Sequence, residues 1–200
     1  MKFSTLVSAA VLATSALMAN AQSVTFTGEN EGHKSNGYTV GGISFSDSIG
    51  SDFYVADYNE RSHGMALWTG QSDASKLEMS FGNATSLSLE FGNDGPLYSH
   101  PGDRAWLEIY SGSTLVAKSS VELNRDNTMN QMISLSGFGV FDNAVFYFGD
   151  AAGNAVQVAE IVDNINLSPA VAAIPEPQTY AMLFAGLAAV RFTVRRRRRG

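Results

Sequence analysis

Two stretches of this 200-residue chain are predominantly apolar, one at each end, and the polypeptide between them alternates. Val24 and Phe26, Ile43 and Phe45, Leu77, Met79 and Phe81, Leu87, Leu89 and Phe91, and Ala105, Leu107 and Ile109 are each spaced by one polar or amphipathic residue. The same period runs on through residues 114–118, 120–123, 132–135, 144–148 and 160–167. A period of two predicts strands, because successive side chains leave a pleated ribbon on opposite faces and only one set can meet a core. Turn-forming residues separate the runs: Gly82-Asn83, residues 92–96, residues 111–113, residues 124–127 and Gly149-Asp150. The prediction is an all-β chain with a single β-sandwich, and the long early loop favours a jelly roll. A helical signal peptide and a C-terminal apolar helix flank it.

The N-terminal segment has a positive start at Lys2 and an apolar core over residues 6–18. Ala19-Asn20-Ala21 then puts small residues at the two positions a signal peptidase reads, Ala19 and Ala21, so cleavage is expected after Ala21. This apolar run is too short to stay as a spanning helix. The C-terminal segment orders Pro175-Glu176-Pro177, an apolar stretch over residues 180–194, and the arginines Arg195, Arg196, Arg197, Arg198 and Arg199. Arginines directly after an apolar helix resist transfer and stay cytoplasmic, which leaves the middle of the chain outside. Arg191 interrupts the stretch at a cost of about 2.5–3.5 kcal/mol on insertion scales, but it lies near the basic end and can snorkel.

The sequence from Ile174 through the five arginines resembles a PEP-CTERM sorting tail in its motif, apolar segment and basic run. That resemblance implies processing by exosortase, a membrane enzyme, during export to the envelope or the extracellular matrix. The expected organisation is a signal peptide at 1–21, an ectodomain at 22–170 and a sorting tail at 171–200. Signal peptidase and exosortase are the expected partners. The expected location is the exported one, anchored transiently in the inner membrane and then at the cell surface or beyond it.

Charge sharpens this picture. Of thirteen basic residues, seven lie in the two ends, so the middle keeps six against eighteen acidic ones and carries a net charge of −12. A surface of that sign excludes nucleic acid as a partner and suits divalent cations or neutral sugars. With no cysteine anywhere, a packed core or a metal must hold the fold.

Leu89-Glu-Phe-Gly-Asn-Asp94, Pro101-Gly-Asp-Arg-Ala-Trp-Leu107 and Ile161-Val-Asp-Asn-Ile165 also resemble secreted jelly-roll domains, some related in shape to carbohydrate-binding modules. Such domains often carry a calcium ion between an acidic residue after the first strand and one on the last. The resemblance therefore implies a metal site at Asp163 with Glu29 or Glu31. The alternating pattern adds that Asp163 shares parity with Ile161, Ile165 and Leu167 and so points inward, where a carboxylate needs a partner. Backbone N–H groups or Arg104 are the alternatives to a metal. On the strand 104–111, Trp106, Glu108 and Tyr110 share one face while Ala105, Leu107 and Ile109 share the other. Aromatic faces beside a carboxylate suit a sugar, and Tyr147 is a further candidate for that surface. The alternative is that a loop covers these rings.

No catalytic arrangement stands out. His33, His63 and His100 lie in polar loops without metal spacing, and the chain has neither a nucleophile elbow nor a phosphate loop. The expected role is non-enzymatic: an exported structural or adhesive protein of the surface or biofilm matrix. A calcium-supported carbohydrate-binding module is the alternative, and a secreted hydrolase stands third.

Overall fold

In the computed structural model, residues 21–70 and 73–170 are described, together with Gly186, Leu187 and Arg191. The leader residues up to Asn20, including Ala19, and the tail residues Pro175, Glu176, Pro177 and Arg195 to Arg199 lie outside the described residues. Ala21 is exposed coil. No helix among the described residues is long and apolar enough to cross a membrane.

The alternating runs do fold as strands. In chain order these are β1 (Gln22–Val24), β2 (Gly32–Lys34), β3 (Tyr38–Val40), β4 (Ile43–Asp47), β5 (Phe53–Asp57) and β6 (Met65–Trp68). They continue with β7 (Leu77–Gly92), β8 (Arg104–Ser111), β9 (Thr114–Glu122), β10 (Gln131–Gly149) and β11 (Ile161–Pro169). All pairings are antiparallel. The first half of β7 and the second half of β10 join the order β3-β4-β7-β10-β8-β9, called sheet one below. Their other halves join β2-β5-β6-β11-β7-β10, sheet two, with β1 also paired to β11. The two sheets are halves of one hydrogen-bonded ladder bent through its two longest strands.

Sequence alone places a turn at Gly82-Asn83, but the chain runs straight through as β7. The bend is instead taken up on β10, where the register shifts between Ser136 and Phe141. Gly137 and Gly139 adopt φ of +81° and +97° there, a region that side-chain-bearing residues avoid. Beyond it, Phe141 pairs with buried Ala84 and the ladder resumes. The early segment also contains more strand than its sparse alternation suggests, since β2, β5 and β6 build the far side of sheet two.

The core lies between the bent halves, which makes the molecule a β-sandwich. Phe91 of sheet two meets Phe146 and Phe148 of sheet one at ring separations of 5.6 and 5.9 Å. Phe26, just after β1, meets Phe45 of β4 at 5.7 Å. Truncating a fully buried phenylalanine such as Phe91 to alanine costs about 3–5 kcal/mol.

The parity expected for Asp163 is corrected by the structure. The β11 register shifts between Asp163 and Asn166, and Asn164 takes φ of 48°. The bulge inserts one residue, so Val162, not Ile161, joins the main core with Ile165 and Leu167. Ile161 packs instead with Ala66, Met129, Tyr58 and Trp68 in a second, smaller cluster. Asp163 therefore shares the outer face with Ile161, although it is buried there.

Candidate functional site

On the outer face of sheet two, register brings aromatic residues of neighbouring strands side by side. His33 of β2 lies opposite Tyr54 of β5, Tyr54 lies opposite Trp68 of β6, and Trp68 lies opposite Ile161 of β11. The rings follow: His33 and Tyr54 are 5.5 Å apart edge-on, Tyr54 and Trp68 are 5.7 Å apart, and Tyr58 meets Trp68 at 5.8 Å. Strands of opposite direction place such partners directly across from one another, so a row of rings is a consequence of pairing.

Two loops wall this row. The short 3-10 turn Asn59–Arg61 carries Arg61, whose guanidinium sits 5.5 Å from the centre of the Tyr98 ring. Arg61 Nη1 donates to Asn93 Oδ1 at 3.4 Å, and Asn93 Nδ2 donates to the Ala159 carbonyl at 2.7 Å. Gly92 permits this geometry, because a Cβ there would overlap the Arg61 backbone carbonyl. The second wall is held by Asp94. Its carboxylate accepts the N–H groups of Arg125 and Asn127 at 2.9 and 3.1 Å, and burial raises its pKa against those bonds. Arg125 and Asn127 both take left-handed φ near +60°, and the Arg125 guanidinium returns to the Ser99 carbonyl at 2.9 Å.

Between these walls lies a cavity of about 170 Å³ lined by Tyr58, Arg61, Trp68, Asn93, Tyr98, Ala159 and Ile161. A shallower depression of about 400 Å³ shares Tyr58 and Arg61 with it and adds Asp57, Glu60 and Asn127. The Tyr58 hydroxyl and Asn127 Oδ1 are buried oxygens with no hydrogen-bond partner among the described residues. Burial, with smaller contributions from Glu31 and Tyr54, pushes the Tyr58 phenol up to about 12, so it stays a neutral donor. Apolar rings, a fixed guanidinium, an amide and two unpaired oxygens form a surface able to hold a flat, hydroxyl-rich molecule.

None of this row except Asp163's own strand was singled out by sequence reasoning. Tyr54, Tyr58, Trp68 and Tyr98 sit in a segment with weak alternation, and the signal available was their aromatic density.

The residues that sequence did single out for sugar contact are found on the opposite sheet. Trp106, Glu108 and Tyr110 share the outer face of sheet one, as their spacing implies, and Tyr147 joins them. They are engaged with one another. Trp106 stacks on Tyr147 at 6.4 Å and 11°, and its Nε1 donates to the Asp150 carbonyl at 3.1 Å. Both oxygens of Glu108 are taken, one by the Tyr110 hydroxyl and one by the Tyr147 hydroxyl at 3.0 Å. Lys76 Nζ lies 4.0 Å from the centre of the Tyr147 ring, and Lys118 Nζ lies 5.4 Å from that of Trp106. Burial first, then the Glu108 hydrogen bond and charge, pushes the Tyr110 phenol up to about 12. The 150–154 loop and two lysines thus pack against these rings, of which Trp106 and Tyr110 stay partly exposed, and each Glu108 oxygen already accepts one hydrogen bond.

The carboxylates expected at a metal site, Asp163 with Glu29 or Glu31, each have other neighbours here. Asp163 Oδ1 accepts the Asn164 N–H at 2.7 Å, and the charged groups that act on it are Glu90 and His63. Glu29 accepts the Tyr38 hydroxyl at 2.7 Å, and Glu31 is exposed on the side of Tyr58. Arg104, the other expected partner, lies 3.8 Å from Glu122. No cluster of three or more His, Cys, Asp or Glu residues suited to a metal ion occurs among the described residues.

No known sequence family matches the chain, and no curated relative does. Among solved structures it aligns with an arabinose-bound α-L-arabinofuranosidase of glycoside hydrolase family 51, at 14% identity, 73% of this chain and a TM-score of 0.45. The chain spans about a quarter (26%) of that enzyme. It also aligns with a family 61 carbohydrate-binding module complexed with β-1,4-galactotriose, at 14% identity, 64% of this chain, 88% of that one and a TM-score of 0.38. A third is a family 22 xylan-binding domain from Paenibacillus barcinonensis, at 18% identity, 74% of this chain, 94% of that one and a TM-score of 0.35.

Proposed function

We propose that this protein is exported, sorted by its C-terminal tail, and binds a polysaccharide through the outer face of sheet two. The observation that carries the binding role is the groove between Trp68 and Tyr98, with Arg61 and Asn93 fixed in its wall and the Tyr58 hydroxyl and Asn127 Oδ1 unpaired. Trp68 and Tyr58 offer ring faces to the apolar side of a sugar, and the polar wall meets its hydroxyls. Asp57 and Glu60 near the groove, and a net charge of −12 over the middle of the chain, favour a neutral polymer over a polyanion. Adhesion to matrix or wall glycan is the role that follows from export. The export reading is supported by the apolar leader, the Pro175-Glu176-Pro177 motif and the terminal arginines.

Affinity electrophoresis of the secreted protein through gels containing neutral plant or bacterial polysaccharides tests the binding role. Retardation by at least one polymer that disappears in Trp68→Ala supports it. No retardation by any polymer, or retardation unaffected by both Trp68→Ala and Arg61→Ala in folded protein, refutes it.

A further inference from the structure

Both places where the sandwich joins the apolar ends of the chain lie at one pole. Gln22, which follows Ala21, pairs with Leu167 near the end of β11. Just beyond, Pro169 stands opposite Ala84 of β7, and Ala170 N–H donates to the Asn83 carbonyl at 2.8 Å. The bulge of β10 sits beside this exit, because Phe141 pairs with the same Ala84 from the other side. Between the pairs Ser136–Ser86 and Phe141–Ala84, residues 137–140 of β10 face Thr85 alone, so the chain there must loop outward. The left-handed Gly137 and Gly139 make that loop possible. It carries Phe138 and Val140, 53% and 45% exposed, while Phe141 turns into the core against Phe81 at a ring separation of 5.9 Å.

Charge fades at this pole. The β8–β9 turn reaches it, since Gly112 N–H donates to Asp142 Oδ1 at 2.8 Å. So does the β3–β4 turn, where Gly41 and Gly42 pack on Val24 and Gln22. The stretches that meet here, residues 22–28, 37–46, 79–89, 109–117, 131–141 and 164–170, contain no Asp, Glu, Lys, Arg or His. Asp142 is the charged residue at the margin, and its Oδ1 also accepts Asn143 Nδ2 at 2.7 Å. The net charge of −12 over the middle of the chain is therefore gathered elsewhere. Leu115, beside the β8–β9 turn, adds a further exposed apolar side chain. The sugar groove lies at the other end of β11: Ile161, which lines it, is about 26 Å along the strand from Pro169.

We propose that the bulge carrying Phe138 and Val140 is an interfacial anchor that dips into the lipid surface entered by the C-terminal tail. The inference rests on the export and anchoring reading of that tail. Exposed apolar side chains among neutral polar ones suit the boundary between headgroups and acyl chains, and a surface without charge gives up no hydrated ion on contact. Two side chains bind lipid weakly by themselves, but a tail in the same bilayer raises their local concentration. Residues 171–179 separate Ala170 from the apolar stretch, and such a length spans at most about 30 Å, so the pole is kept near the surface. Anchored this way, the domain presents Trp68 and its groove away from the bilayer, open to a matrix polymer.

Because the chain has no cysteine, a single fluorophore can be placed at a chosen residue of the full protein with its tail. Ser136→Cys reports on the bulge with Phe138 and Val140 intact, Leu97→Cys on the groove end, and Ala185→Cys on the tail. Each labelled protein is reconstituted into phosphatidylcholine vesicles containing a doxyl-phosphatidylcholine quencher. The lipid quencher should reduce emission several-fold at 185 and at 136 and leave it unchanged at 97. Added salt should not alter the result, since no charge makes the contact. Phe138→Ser combined with Val140→Ser, both outside the core, should return the 136 label to water without moving the 185 label. Quenching at 185 with none at 136 overturns the anchor and leaves the tail reading standing. A 185 label that stays in water overturns the tail reading, and the anchor with it. Quenching at 97 in place of 136, or quenching at 136 that persists in the double variant, also overturns the proposal. So do 136 labels that quench one another but not with lipid, which would assign the bulge to a second copy of the chain.

Discussion

The backbone carbonyl of Arg61 lies so close over Gly92 that no side chain fits between the turn and β7. This contact sets the Asn59–Arg61 turn on the sheet and aims the Arg61 guanidinium at Tyr98 and Asn93. In Gly92→Ala the new methyl must push back main chain, since the neighbouring atoms belong to the Arg61 backbone. Overpacking of this kind costs about 1–3 kcal/mol. The expected result is a lower Tm together with loss of polysaccharide retardation. Gly82→Ala, which meets nothing within 4 Å, should leave both unchanged. Normal retardation in Gly92→Ala would separate the turn from the groove and refute this link.

Trp68 is the ring shared by both neighbours of the aromatic row, in contact with Tyr54 on one side and Tyr58 on the other. Interface energy concentrates on such partly enclosed central aromatics, with truncation costs of about 2 kcal/mol or more. Trp68→Ala should therefore weaken binding about 30-fold, while Tyr54→Ala at the more exposed end should weaken it only a few-fold. Isothermal titration with the polymer identified by electrophoresis measures both. Equal, small effects would mean the row is packing and not platform.

Trp106 gives the opposite expectation. Its ring is stacked on Tyr147 and its Nε1 is bonded to Asp150 O, so it closes the 150–154 loop onto sheet one. Trp106→Ala should lower stability by about 2–4 kcal/mol and leave polysaccharide affinity within two-fold of the parent. Chemical denaturation and the same titration read the two quantities. A large loss of affinity in a variant that still folds would return the sugar site to sheet one.

The sandwich was legible because period-two alternation survives in β4, β7, β8 and β10, where Ile43, Leu87, Leu107 and Ile133 respectively mark the buried face. Trp106, Glu108 and Tyr110 were correctly placed on one outer face. Their mutual pairing with Tyr147 was hidden, because it depends on a strand nearly forty residues away. Asp163 was misplaced by a single inserted residue: Asn164 in the left-handed region reverses the parity of everything before it, and a linear pattern contains no mark of that. The groove was missed for a different reason. Tyr54, Trp68 and Ile161 lie far apart in sequence and meet only through the β5-β6-β11 register, while Arg61 and Tyr98 reach them from loops.

The position of Asp163 on the outer face makes stability depend on pH in a defined direction. Burial, with a smaller contribution from the Glu90 charge, raises its pKa to about 6 against the Asn164 N–H bond and the His63 charge. Glu90 is itself held by His63 at 2.9 Å and by Asn164 Nδ2 at 2.8 Å, so these three groups are the ones that face the acid. An acid with a raised folded-state pKa keeps its proton when the unfolded chain has already lost it. Below about pH 4 both states are protonated and Asp163 costs nothing; between about 4 and 6 the unfolded state is favoured increasingly, and above 6 the cost is constant. The loss across that window is roughly 1–3 kcal/mol. Asp163→Asn should remove it, so the parent and variant should converge in Tm at pH 4 and the variant should melt higher at pH 7. Comparing the two at each pH cancels the titration of other carboxylates. Parallel pH profiles for parent and variant would show that Asp163 ionises freely and is not enclosed between Glu90 and Asn164.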